Sequence, residues 1–200
     1  MATSKDHTKF LKRQIENFMI RSESENYFLP RSCLDQIFTI EAIQDAVKEL
    51  RCPVTDKFGL PQDIFNRGIR LFAILVKNGE EEMIIEFRKH DSLDLEAPMD
   101  ETRANQVAGK IGRLFAQKYQ WEFLPYEFKQ NMRDSRRVIG YDAMVLPFVG
   151  KSQRSASGAF GEISVIKIHS SQQEFVRNKV RARIIPQRRN VRNYSQCKFR

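Results

Sequence analysis

The chain has 200 residues, 41% of them hydrophobic and 30% charged, which suits one ordinary domain and falls short of a complete large two-lobed enzyme. The longest apolar stretch, Ile69 to Val76, is interrupted by Arg70; a spanning helix needs roughly 20 apolar residues, so no membrane segment is expected. The net charge of +9 is uneven: residues 1–132 carry 19 Lys+Arg against 21 Asp+Glu, while residues 133–200 carry 15 against 4.

The polar start, Met1 to Lys9, lacks the apolar segment of a signal peptide, so the chain is expected to stay inside the cell, in the cytoplasm or the nucleus. Cys33, Cys52 and Cys197 are odd in number and widely spaced, which supports neither a disulfide framework nor a zinc site. They read as reduced thiols, and no metal site is expected. His7, His90 and His169 have no second ligand at metal spacing.

In chain order, His7 to Ile20 places Phe10, Leu11, Gln14, Ile15 and Phe18 on one side of a helix, with Thr8 as N-cap. A polar link, Arg21 to Asn26, leads to a second helical region through Leu34, Ile37, Phe38, Ile43, Val47 and Leu50, ended by Cys52-Pro53. Gly59-Leu60-Pro61 opens a third helix, whose stripe of Ile64, Phe65, Ile69, Phe72, Ala73 and Val76 stops at Asn78-Gly79. Glu80 to Arg88 fits either a short buried strand or a helical turn, and Asp91 to Pro98 reads as a loop. Helical spacing resumes over Glu101 to Tyr119, weakened by Gly109 and Gly112. The aromatic cluster of Trp121, Phe123, Tyr126 and Phe128 reads as core.

After Arg133 the texture changes. Val145 to Phe148 is a short apolar stretch, Lys151 to Ser157 reads as a polar loop, and Glu162 to Ile168 alternates like a strand, so two strands joined by a glycine-bearing turn are expected. The fold class is therefore a mainly α N-terminal region followed by a β-hairpin, α+β overall. Four segments follow: the helical region 1–132, a lead-in 133–150, the hairpin 151–174, and a basic tail 175–200 holding nine basic side chains and no acidic one.

The turn Ala156-Ser157-Gly158-Ala159-Phe160-Gly161-Glu162-Ile163 sets the second and third glycines and the branched residue of the kinase pattern G-x-G-x-x-G-x-V, with Ala156 in place of the first glycine. Glycine lets backbone N–H groups approach phosphate oxygens that a Cβ would obstruct, and a branched residue on the outgoing strand can cover a base. An ordinary hairpin uses the same residues at a tight turn. Together with Trp121-Glu122-Phe123-Leu124-Pro125, Leu146-Pro147-Phe148 and the run from Ser157 to His169, the stretch 30–175 resembles the N-terminal region of fungal serine/threonine protein kinase-like proteins.

That resemblance implies that the hairpin begins a kinase N-lobe, that Gly158, Gly161 and Ile163 are nucleotide-covering positions, and that Mg-ATP is the cofactor if the loop functions. Val176-Arg177-Asn178-Lys179 is the nearest match to the strand that carries the phosphate lysine, which makes Lys179 its candidate. The sequence contains neither a His-Arg-Asp catalytic loop nor an Asp-Phe-Gly metal motif, so no catalytic residue is assigned and the expectation is a truncated kinase-like chain without phosphotransferase activity. The alternative is a helical module whose apolar stripes bind a protein partner. Its basic tail would bind nucleic acid through Arg177, Arg181, Arg183, Arg188 and Arg189.

Overall fold

The computed structural model describes residues 6–128, 143–150, 153–158, 161–174 and 194–197. It shows a mainly α body followed by a small antiparallel sheet, α+β overall.

Helix α1 spans His7–Phe18, and its N-cap is Asp6, whose carboxylate accepts from the Lys9 amide at 3.1 Å. Thr8, the expected cap, lies inside the first turn, where the backbone is already helical. It donates its N–H and hydroxyl to Glu49 at 3.1 and 2.9 Å, while the other Glu49 oxygen accepts from the His7 amide at 2.9 Å. Free N–H groups of a helix start need acceptors, and here a carboxylate from a second helix supplies them. The helix ends at Phe18, two residues before Ile20, because Ile20–Arg21 (β1) pairs antiparallel with Tyr27–Phe28 (β2). Leu11 and Ile15 are buried, but Phe10 is 56% exposed, since its position is one step off the stripe that faces the core.

The second helical region is two helices, α2 at Arg31–Ile37 and α3 at Ile40–Glu49, separated where Thr39 turns extended and caps α3 by accepting from the Ala42 amide. A one-turn helix α4, Val54–Lys57, precedes the central element. That element starts at Gly59 (φ 70°), runs through α5 (Leu60–Asp63), a π turn (Ile64–Gly68) and α6 (Ile69–Asn78), and ends at Gly79 with φ 74°. Left-handed backbone at both ends explains the two glycines. Leu71 to Val76 are all buried, as expected of a helix that is apolar all round and surrounded by α1, α2 and the helical residues Ile84–Lys89. Phe65, expected in the stripe, is 41% exposed, because the π turn rotates it outward.

Glu80 to Arg88 is helical, as Glu81–Met83 in a tight turn followed by α7, Ile84–Lys89. Residues Asp91 to Pro98 form a loop. The expected single helix over 101–119 is broken: α8 covers Glu101–Ala108, Gly109 takes φ 51°, and α9 covers Gly112–Gln117. Gly112 lies against the α8 backbone so closely that a Cβ would stand 2.4 Å from the Ala104 carbonyl oxygen. Phe87 and Phe115 meet at 5.2 Å between ring centroids, and Phe38 and Phe72 at 6.0 Å, in one continuous core. Trp121 and Phe123 are buried as core, Trp121 in a smaller cluster with Phe28, Val145 and Val149.

The second sheet has the order β3-β4-β5, with β3 at Gln153–Gly158, β4 at Gly161–His169 and β5 at Tyr194–Cys197, all antiparallel. Lys151 to Ser157 is therefore not a polar loop; from Gln153 onward it is the first strand, since pairing with the alternating strand β4 satisfies its backbone. Among the described residues no helix is long and apolar enough to cross a membrane, no group of three His, Cys, Asp or Glu is placed to hold a metal, and Cys33 and Cys52 are free thiols.

Candidate functional site

The glycine turn is built by register. Gly158 faces Gly161, Ser157 faces Glu162 and Ala156 faces Ile163, and the register shifts by a bulge or irregularity between Arg154 and Ala156. In the sequence the facing glycines stand on either side of Ala159 and Phe160, which lie outside the described residues. Gly158, Gly161 and Ile163 are thus brought to one hairpin end. Lys179 and the arginines Arg177, Arg181, Arg183, Arg188 and Arg189 lie outside the described residues.

On the far edge of β4, β5 continues the ladder with Ile166 facing Cys197 and His169 facing Tyr194. The strand that pairs there, Tyr194-Ser195-Gln196-Cys197, contains no lysine; the next residue in sequence is Lys198.

The other half of β4 is tied to the helical body. Phe148 bridges Ile168, the Val149 amide donates to the Lys167 carbonyl at 2.8 Å, and the His169 amide donates to the Pro147 carbonyl at 3.0 Å. The Phe148 carbonyl in turn accepts from the Glu23 amide at 2.8 Å. His169 closes the contact: its ring meets Phe28 edge-on at 6.0 Å, and its Nδ1 accepts from the Ser171 amide at 3.3 Å with the Ser171 hydroxyl at 2.8 Å. Nδ1 as acceptor calls for a neutral ring with its proton on Nε2. Burial favours the same form by holding the His169 pKa below its ordinary value. Phe128 stacks on Phe148 at 6.0 Å and pairs with Gln173, which extends the seam.

Sequence reasoning found no metal partner for His169 and gave it no other role; the ring's partner, Phe28, lies 141 positions earlier and no local pattern links them. It noted Arg70 only as the charge that interrupts the apolar stretch Ile69 to Val76, without assigning it a site. Compared with family models, with curated proteins and with solved structures, the chain finds no match.

Proposed function

We propose that the chain is a kinase-like protein in which a helical body carries a glycine hairpin of the nucleotide-covering kind, and that it contacts nucleotide phosphates without transferring them. The observation that carries this reading is the antiparallel order β3-β4-β5 with Gly158 and Gly161 facing each other across the first turn. Glycine at these two positions leaves no Cβ to hinder the approach of a phosphate to the backbone. Phosphoryl transfer needs more: a base, metal-holding carboxylates and a lysine on the phosphates. The sequence has no His-Arg-Asp or Asp-Phe-Gly. The phosphate-lysine candidate Lys179 lies outside the described residues, as does Lys198, the next residue in sequence after β5.

The test is calorimetry of Mg-ATP on the 200-residue chain together with a γ-phosphate transfer assay. The expected result is binding near millimolar, worth about 4 kcal/mol, lost in Gly161→Asp, with no phosphate transferred. Binding indifferent to Gly161→Asp, or any transfer above background, contradicts the reading.

The charge asymmetry favours a second reading, in which residues 175–200, with nine basic side chains and no acidic one, bind nucleic acid. Deleting them would then abolish retention on DNA or RNA, and the affinity of the intact chain would fall steeply with salt. Retention that is salt-insensitive or survives the deletion rules this out.

A further inference from the structure

The central helix carries its π turn at Ile64–Gly68, a feature that adds one residue to the helix and recurs at functional sites. Phe65 and Arg67 of the turn and Arg70 of α6 line a groove together with Arg31 of α2 and the Asp94–Glu96 loop. Beyond Arg31, Arg70 and Glu96 the groove continues as a cavity of about 240 Å³ with an apolar wall of Pro98, Leu124, Pro125 and Met144.

Two polar atoms of residues lining this cavity, Arg70 Nε and Gln172 Oε1, are buried without a hydrogen-bond partner. The Arg70 side chain is 13% exposed, with Glu96 as its nearest carboxylate, 4.0 Å away. Its Nη1 donates to the Leu95 carbonyl at 2.6 Å, and its Nε has no hydrogen-bond partner. Arg31 approaches Glu96 at 3.7 Å and Glu127 at 3.5 Å, both beyond good hydrogen-bond length. Gln172, 1% exposed and lining the same cavity, has an orphaned Oε1. A buried donor or acceptor left unpaired costs about 1–3 kcal/mol, and a guanidinium edge is shaped for a carboxylate.

We propose that this cavity binds an acylated α-amino carboxylate with an apolar side chain, either a free small molecule or the last residue of a peptide. Its carboxylate is taken by the Arg31 and Arg70 guanidiniums, its side chain lies on the Pro98, Leu124 and Met144 wall, and its amide N–H is offered to Gln172 Oε1. Glu96, two-thirds exposed, swings into solvent to make room. The volume suits about one residue of this kind, below the range of drug-sized pockets. The site does not depend on the glycine hairpin or on nucleotide.

The test is an NMR titration of the isotope-labelled full chain with N-acetyl-leucine, with N-acetyl-leucinamide as the control that lacks the carboxylate, and with a short peptide ending in leucine. The expected result is a shift of the Arg31 and Arg70 Nε–H signals by the acid and not by the amide, weakened about ten- to a hundredfold by Arg70→Gln. Tighter binding of the peptide than of N-acetyl-leucine identifies a chain end as the source, and equal binding identifies a small molecule. Because Arg70→Gln can disturb folding, Glu96→Gln serves as the second variant: it removes the competing carboxylate at the surface and is expected to tighten binding a few-fold. Equal response to acid and amide, no response to either, or weaker binding in Glu96→Gln overturns the proposal.

Discussion

A methyl group at position 112 would stand 2.4 Å from the Ala104 carbonyl oxygen and 2.5 Å from the Asn105 Cα, both backbone atoms of α8 that cannot step aside singly. Gly112→Ala is therefore expected to destabilise the protein by about 2–3 kcal/mol as overpacking. At Gly79 a Cβ would meet nothing within 4 Å, and only the left-handed φ of 74° opposes it, so Gly79→Ala should cost about 1 kcal/mol. Urea unfolding midpoints of the two variants at unchanged slope check the pair, and equal losses would contradict it. A second residue-scale expectation concerns Glu49. Burial pushes its carboxyl pKa upward, but hydrogen bonds from His7 and Thr8 outweigh it and hold the pKa below the ordinary 4.5. A depressed folded pKa means stabilisation that is fully present above about 4.5 and lost as the pH falls through the folded value. Glu49→Gln should lower stability near neutral pH and flatten the acid limb of a stability–pH curve; an unchanged limb would show that the cap does not titrate as argued. Neither Gly112 nor Glu49 was legible in the sequence. Gly112 read only as a propensity cost, since its neighbour in space is a different helix, and the Glu49 cap joins residues 41 and 42 positions apart.

At the scale of elements, the joint between β4 and the helical body depends on a neutral His169. Burial lowers its folded pKa below the ordinary 6.5, so the sign is the same as for Glu49: the docking energy is complete above about 6.5 and is lost progressively as the pH falls. Protonation would turn Nδ1 into a donor facing the Ser171 amide, which is itself a donor. Amide exchange at Val149 and His169, corrected for the intrinsic rate, should show protection falling between about pH 7 and 5, the interval in which histidine titrates. Constant protection, or the same fall in His169→Gln, would contradict the mechanism. Elements bounded by strong local signals were legible. Gly59, Pro61 and Asn78-Gly79 mark both ends of the central helix, and the facing glycines mark the hairpin. What escaped the periodicity was interruption from outside or from a local kink: the π turn that exposes Phe65, the break at Gly109, and the strand β3, which is set by its pairing with β4.

Across the whole molecule, the core is continuous from α1 to Leu124, and the sheet is attached to it by the seam of Phe128, Phe148 and His169. That arrangement places the glycine turn at the end of the sheet away from the seam, since β4 runs from Gly161 at the turn to His169 at the body. In the proposed reading, phosphate contact and attachment to the body would therefore use opposite ends of one strand. The pairing of Gly158 with Gly161 at one hairpin end was legible because glycine carries its backbone demand in the sequence itself, whereas the Arg31–Arg70 cavity is assembled from segments that share no motif. The most direct measurement is an amide-resolved NMR titration of the full chain with Mg-ATP. The account predicts that Gly158 and Gly161 shift at millimolar nucleotide while Val149 and His169 stay still, and that Gly161→Asp removes the response. Shifts confined to residues away from the hairpin, or none at the two glycines, would contradict it.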